Sequence, residues 1–288
     1  MTLLLHEYSP ITVPDRYQPV FDEGPHTYTW RGWLMPGVSD LLEETGIRKP
    51  FDRGPWRNSL INKHGVPEEH VDAEMDKAAV RGTEAHLSIG FRMMQQDLQL
   101  DRQLPVPDWG EPAITQDQLR FYVMRAEQVL KELEISEVLM VEQTLVHPVG
   151  HYCGTIDLLA KTPDGLIALD WKTKASGKPL IKDKTHVFQL AAYIGAINNI
   201  FKDQTTEDGE PIRVLRAANA LLSPDEHRLF IYERDEVINA WIEFQGLLHE
   251  YWELRVNQGQ GYHSPDMAQA ALARIEESWG PFVAVGTL

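Results

Sequence analysis

A single cysteine, Cys153, stands in 288 residues. An internal disulfide frame, an all-thiolate zinc site and a four-cysteine iron–sulfur cluster are therefore excluded, and a reducing compartment is expected. No apolar run reaches the ~18 residues that a membrane-spanning helix needs. Residues 1–20, MTLLLHEYSPITVPDRYQPV, lack a basic start ahead of their short apolar stretch, so they are not expected to act as a signal peptide. Together these features predict a cytoplasmic protein. Internal repeats and low-complexity linkers are also missing, which leaves no sharp domain boundary. Positive charge is scarce: 27 Lys and Arg against 43 Asp and Glu give a net charge of −16. A uniformly acidic surface does not hold duplex nucleic acid tightly, because phosphate contacts need Lys and Arg.

What is present is ordinary globular material. At 43% apolar and 24% charged residues, collagen-like, disordered and coiled-coil classes are out. We expect one domain over 1–288, with a mainly helical part at 1–135 and a core with C-terminal helices at 136–288. Residues 26–35 alternate around Arg31-Gly32 and predict a hairpin. Val38 to Thr45 predicts a short helix stopped by Gly46. A helix is expected over 67–96, with Ala78, Ala79, Ala85 and Leu87 on a small-residue side. Residues 97–115, with Pro105, Pro107 and Pro112, predict a loop. A further helix is expected over 117–134, starting at Asp117, with Leu119, Val123, Ala126, Val129, Leu130 and Leu133 on one face.

The pattern then turns to strands. Residues 137–146 are β-rich, and 153–160 and 166–171 flank the turn Thr162-Pro163-Asp164-Gly165 as a second hairpin. A helix over 186–198, strands near 213–222 and 227–232, and a helix over 235–256 follow. The aromatic stripe of that last helix, including Trp241, Phe244, Tyr251 and Trp252, predicts core packing. The order gives an α+β (or α/β) fold with a mixed central sheet and a helical N-terminal part.

Charge is unevenly spread. Lys172, Lys174, Lys178, Lys182 and Lys184 face one acid, Asp183, whereas the chain from Asp225 onward holds eleven acids and four arginines. This strip is either a confined nucleic-acid channel or a solvated lysine loop.

The chemistry-bearing residues lie on the second hairpin. If it pairs through its turn, Asp157 and Asp170 meet at one end of the sheet. Two carboxylates on rigid strands suit Mg²⁺ or Mn²⁺. Asp170 and Lys172, two apart on a strand, share a face, so an ammonium stands beside that site, where it could orient a water or offset phosphate charge. A chain with 43 acids and 11 lysines carries one or two acid-x-Lys tripeptides by chance, so the tripeptide alone could be a strand-end salt bridge. The upstream Asp157 and the lysine strip give it context. In Arg81-Gly82-Thr83-Glu84-Ala85-His86, Gly82 permits close approach of another backbone, and His86 could add an imidazole to a carboxylate site or be an ordinary helical histidine. Gln189 and Tyr193, four apart on a helix, share a face, as site residues or as a polar pair at the helix edge. Glu142 breaks an apolar run, as a further acid at the site or as an exposed alternation position.

His86 after Arg-Gly-Thr, Glu142, Gly154-Thr155-Ile156-Asp157, Asp170-Trp171-Lys172-Thr173 and Gln189-x-x-x-Tyr193, in this order, resemble the PD-(D/E)XK nuclease superfamily, RecB-like branch, and within it the mitochondrial genome maintenance exonucleases and related phage exonucleases. The likeness extends from MPGVSDLL through ALDWKTKASGKP to the 213–256 region. It implies that His86, Asp157, Asp170 and the Trp171 carbonyl hold a divalent metal, Mg²⁺ or Mn²⁺, and that Lys172 is catalytic. It also implies that Glu142 is the acid of the first core strand, and that Gln189 and Tyr193 contact DNA or brace the site, with Thr173, Lys174, Lys178 and Lys182 beside them. The naming proline is absent before Asp157, where Thr155-Ile156 stand, as is common in this branch. The cysteines of its iron–sulfur subgroup are absent as well.

The implied activity is metal-dependent exonucleolytic hydrolysis of single-stranded DNA or frayed ends, in replication, repair or recombination, leaving a 5′-phosphate and a 3′-hydroxyl. Two alternatives stand beside it: an inactive nuclease-fold factor for recombination or packaging, and a structure-specific endonuclease. DNA is the expected partner, with a single-strand-binding or recombination protein as a further one, in a bacterial or phage-infected cell. The helical segment 50–135 would wall the DNA path. Trp30, Trp33 and Phe51 could stack on bases, with core packing the favoured use of each.

Overall fold

The computed structural model describes residues 6–22, 24, 26–49, 52–96, 104, 110–206, 208–258 and 264–279. Phe51 and most of 97–109 lie outside them. The chain opens with β1 (Glu7–Tyr8), β2 (Val20–Asp22), β3 (Thr27–Trp30) and β4 (Trp33–Met35). The expected hairpin is β3–β4. Arg31 and Gly32 both take left-handed backbone, φ 52° and 80°, the conformation that lets a two-residue turn match strand twist. β2 pairs antiparallel with β3 and makes this a three-stranded sheet.

Helices α1 (Val38–Glu44), α2 (Arg53–His64), α3 (Val71–Met93) and α4 (Gln116–Glu132) follow. α1 stops before Gly46, whose φ is 78°, as expected. α2 lies within the segment 50–135 expected to be helical but was given no bounds of its own, although its signals are ordinary. Asp52 caps it by accepting from the Gly54 amide at 2.9 Å, and Gly65 closes it in the left-handed region. The helix expected over 67–96 is shorter. Pro67 holds extended backbone, a single 3-10 turn covers Glu68–His70, and α3 begins at Val71. Its buried face is Val71, Met75, Ala85, Ile89 and Met93, while Ala79 and Leu87 point outward. The expected small-residue side is thus not one face. α4 is capped by Thr115 rather than started by Asp117: Thr115 accepts from the Gln118 amide at 3.2 Å, and the Gln118 side chain accepts from the Thr115 amide at 2.9 Å.

β5 (Glu137–His147), β6 (Tyr152–Thr162), β7 (Gly165–Thr173), α5 (His186–Ile200), β8 (Val214–Leu222), β9 (His227–Tyr232), α6 (Arg234–Gln258) and α7 (Pro265–Trp279) complete the fold. The central sheet has six strands in the order β1-β5-β6-β7-β8-β9. It is mixed: β1 runs parallel to β5 and β7 parallel to β8, and the other pairs are antiparallel. This is the expected α+β architecture.

Both faces of the sheet are covered, as apolar strands of a mixed sheet require. Along β7, Ile167, Leu169 and Trp171 join α3 and α4 in one core. Leu166 and Ala168 join α1, α5, α6 and α7 in the other. The alternation puts Asp170 and Lys172 on the α5 side and the Trp171 indole on the α3/α4 side. The α6 stripe is core: Trp241, Phe244, Leu248, Tyr251 and Trp252 are all buried. Gly195 lets α5 approach it, since a Cβ there would lie 2.3 Å from the Trp241 ring. No helix among the described residues is long and apolar enough to cross a membrane.

Candidate active site

The site forms where two strands part. The β6–β7 ladder runs from Thr162↔Gly165 to Leu158↔Leu169. One step further the same register sets Asp157 opposite Asp170. There the Trp171 amide donates to the Asp157 Oδ2 at 2.7 Å instead of to a strand carbonyl. β6 stays paired with β5: Val141 meets Leu158 and Gln143 meets Ile156, which sets Glu142 across from Asp157. Glu142 has φ 46°, a left-handed conformation that costs energy in a non-glycine residue and is common at functional sites. α3 closes the gap with His86. Its Nε2 lies 3.1 Å from the Trp171 carbonyl, and its Nδ1 lies 3.4 Å from Glu142 and 3.6 Å from Asp157.

Asp170 is turned another way. Lys172 Nζ donates to it at 2.9 Å from the same strand face, and Asn219 of β8, its register partner, donates at 2.9 Å. Gln189 accepts from Lys172 at 3.3 Å and from Arg48 at 3.2 Å, and donates to the Tyr193 hydroxyl at 2.7 Å. Tyr193 in turn packs over Gly154, where a Cβ would lie 2.5 Å from its ring. Gly154 is therefore the glycine a close approach demands. Gly82 is not: a Cβ there would meet only the Thr173 hydroxyl at 3.6 Å, an ordinary contact, so the expected backbone approach is absent.

Electrostatics follow from burial and crowding. Burial works against charge on His86, yet Asp157 first, then Glu142 and Asp170, outweigh it and raise the imidazolium to about 9. Burial raises the Asp157 carboxyl to about 8, with Asp170 and Glu142 adding to it against His86 and Lys172.

One ligand atom from each of His86, Glu142 and Asp157 falls within 4.8 Å of the others, the one such group of His, Cys, Asp and Glu among the described residues. Two carboxylates and an imidazole, with no thiolate, fit a hard divalent cation. Asp170 lies outside this trio because Lys172 and Asn219 hold its carboxylate.

The centre opens on two clefts that share His86 and Lys172. One, of about 640 Å³, runs past Phe21, His26 and Tyr28 of the small sheet. The other, of about 570 Å³, is lined by Thr173, Lys174, Lys182 and Lys184. The lysine loop is pinned at its start: Tyr122 donates to the Lys174 carbonyl at 2.6 Å, and Asp225 accepts from the Gly177 amide at 2.7 Å. Lys182 lies over the Tyr232 ring at 4.4 Å. Lys178 departs from its neighbours and lines a separate cleft with Trp56, Lys77 and Arg81. Trp30 is buried, with its indole bonded to the Arg16 carbonyl at 2.8 Å, so it offers no stacking face. Trp33 lines neither of the two clefts.

Asn219 and Arg48 were missed by the sequence analysis. Asn219 had a signal, as the lone polar residue inside Ala217-Ala218-Asn219-Ala220-Leu221, a run that is buried throughout. Arg48 had none, because only the tertiary fold brings it to α5.

Residues 53–269 match the family model of the PD-(D/E)XK nuclease superfamily, and the chain belongs to that superfamily. It is similar to the mitochondrial genome maintenance exonuclease 1 of Mus musculus, 34% identical over 201 residues (65% of this chain and 55% of that protein). It is also similar to those of Homo sapiens, 32% over 168 residues (58% and 44%), and Xenopus tropicalis, 28% over 169 (57% and 44%). The chain spans about half the length of the curated relatives it matches.

Proposed function

We propose that this protein is a metal-dependent deoxyribonuclease acting as an exonuclease on single strands or frayed ends. The observation that carries the proposal is the parting of β6 and β7, which sets the His86/Glu142/Asp157 donor group and the Asp170–Lys172 pair around one opening. His86, Glu142 and Asp157 would hold Mg²⁺ or Mn²⁺, with the Trp171 carbonyl and Asp170 beside them. When bound, the cation supplies Lewis-acid charge that lowers the pKa of water and offsets phosphate charge.

The chain's own residues do the rest. Lys172 Nζ, held by Asp170 and Gln189, aims a fixed positive charge at the phosphate. Water oxygen bonds to phosphorus and gives up one proton to solvent as the P–O3′ bond breaks, and the departing 3′-oxygen takes up a proton, leaving a 5′-phosphate and a 3′-hydroxyl. Lys174, Lys182 and Lys184 track the strand's phosphates. The acidic body keeps stray duplex affinity low, which favours a strand entering a confined basic cleft. The relatives carry a mitochondrial name; for this chain we propose a cytoplasmic setting.

The test is digestion of 5′- and 3′-labelled linear single strands beside a circular single strand, with Mg²⁺, with Mn²⁺ and with EDTA. Cation-dependent shortening of linear strands only is expected. Cutting of the circle would make the protein an endonuclease. Binding without cutting would make it a non-catalytic DNA-binding factor, and full turnover in EDTA would overturn the metal assignment.

A further inference from the structure

The two clefts that meet at His86 and Lys172 differ in chemistry. The lysine-lined cleft carries Lys172, Lys174, Lys182 and Lys184 against Asp183. The other has no lysine or arginine besides Lys172 among its described lining residues. Its lining holds an aromatic cluster instead. Phe21 stacks on Tyr28 at 4.7 Å with 29° between the rings, and His26 meets the Phe21 edge at 5.0 Å. Tyr28 is buried behind Phe21, which is half-buried, while His26 is exposed. Hydroxyls of Ser39, Thr144 and Thr155 line the same space. Beyond Lys172 and His86 at the junction, a run of phosphates would find no lysine or arginine in this cleft to offset its charge. A base can be accommodated there, because every base has a π-face and aromatic side chains stack on it with little regard to sequence. The volume, about 640 Å³, lies in the range of small-molecule pockets.

We propose that this aromatic cleft receives the terminal nucleoside of the strand being cut. Its base stacks against Phe21 and His26, while the phosphates of the remaining strand lie in the lysine cleft. The scissile phosphodiester then sits at the junction, beside His86 and Lys172. The segregation gives a reason for end-directed cutting: an internal segment would have to carry its next phosphates past the junction, among Phe21, His26 and hydroxyls, where the cleft offers no lysine or arginine beyond Lys172. The proposal rests on the nuclease function above and deepens it.

Short single strands carrying 2-aminopurine at the 5′ or the 3′ end test it, because stacking quenches that base. In EDTA, where turnover is stopped, binding to the intact protein should quench the probe at one end only. Phe21→Ala and His26→Ala should relieve the quench, and Phe21→Tyr should keep it. In the cation-supported cleavage assay, each alanine variant should raise KM by about 5- to 150-fold with kcat little changed, the span that the loss of one base–aromatic stack gives. His26 is exposed, so its variant keeps the proposal testable if Phe21→Ala fails to fold. Quenching with no cleavage by the intact protein would overturn the nuclease function and leave the pocket standing. Cleavage with no quench at either end, or a quench unchanged in both alanine variants, would overturn the pocket and leave the nuclease.

Discussion

Asn219 offers a sharp trial of how the site is held. It is 1% exposed, and its amide donates to the Asp170 Oδ2 at 2.9 Å. In Asn219→Ala, Asp170 keeps Lys172 but loses its other side-chain donor. A hydrogen bond to a charged group is worth about 1.5–3 kcal/mol. A chain of this size shifts Tm by about 2–4 °C per kcal/mol, so Tm should fall by roughly 3–12 °C. Losing a residue that orients a metal-site carboxylate typically costs about 10- to 100-fold in metal affinity or activity, and that range is expected for Mn²⁺ binding by calorimetry. Asn219→Asp should behave differently. The carboxyl this introduces has its own pKa raised by the like charge beside it. Below that pKa the protonated acid can donate as the amide did; above it, two charges repel. The aspartate variant should therefore be nearest wild type in Tm at low pH and fall below it as pH rises. A Tm within 1 °C of wild type (roughly 0.3–0.5 kcal/mol) together with unchanged Mn²⁺ affinity in Asn219→Ala would refute the idea that this hydrogen bond positions Asp170.

Lys172→Ala should lower single-turnover cleavage by about 10²–10³ with little change in DNA binding, as expected for a charge aimed at the attacked phosphate; equal losses in both would make Lys172 an ordinary phosphate contact. Lys182→Ala and Lys184→Ala should each flatten the single-strand salt dependence by about 0.7 in log–log slope, whereas Lys178→Ala, in its separate cleft, should leave the slope alone; a slope that responds only to Lys178 would move the DNA path to the Trp56–Arg81 cleft. Gly154→Ala places a methyl 2.5 Å from the Tyr193 ring, and overpacking of this kind destabilises by about 1–3 kcal/mol, so its denaturation midpoint should fall and Gln189 lose its grip on Lys172; a midpoint equal to wild type would show that Tyr193 moves freely. A metal-ligating imidazole must be neutral, and His86 holds its proton up to about 9. Divalent-cation uptake at pH 7 should thus release at least one proton and weaken as pH falls; calorimetry in buffers of different ionisation enthalpy that finds no release would remove His86 from the ligand set.

Local sequence signals account for most of the elements. Gly46, the Arg31-Gly32 turn and the Thr162–Gly165 turn mark their own boundaries, because each depends on a backbone preference confined to a few residues. The face of α4 and the aromatic stripe of α6 were legible because a helix repeats every 3.6 residues whatever it packs against. The order of His86, Glu142, Asp157, Asp170, Lys172, Gln189 and Tyr193 was legible as a family pattern. Other features required the folded chain. β1, at two residues, exists only because β5 offers it an edge, and β2 turned a hairpin into a sheet for the same reason. The opening between β6 and β7 comes from strand register, which sets Asp157 against both Glu142 and Asp170 and so decides that Glu142 joins His86 while Asp170 turns to Lys172 and Asn219. Lys174, Lys178 and Lys182 are alike in sequence, yet the path of their loop sends Lys178 to another cleft. The aromatic lining of the candidate site's cleft was illegible for the deepest reason: Phe21 and His26 lie about sixty residues or more before His86, and only packing of the small sheet against the site brings them into one cleft.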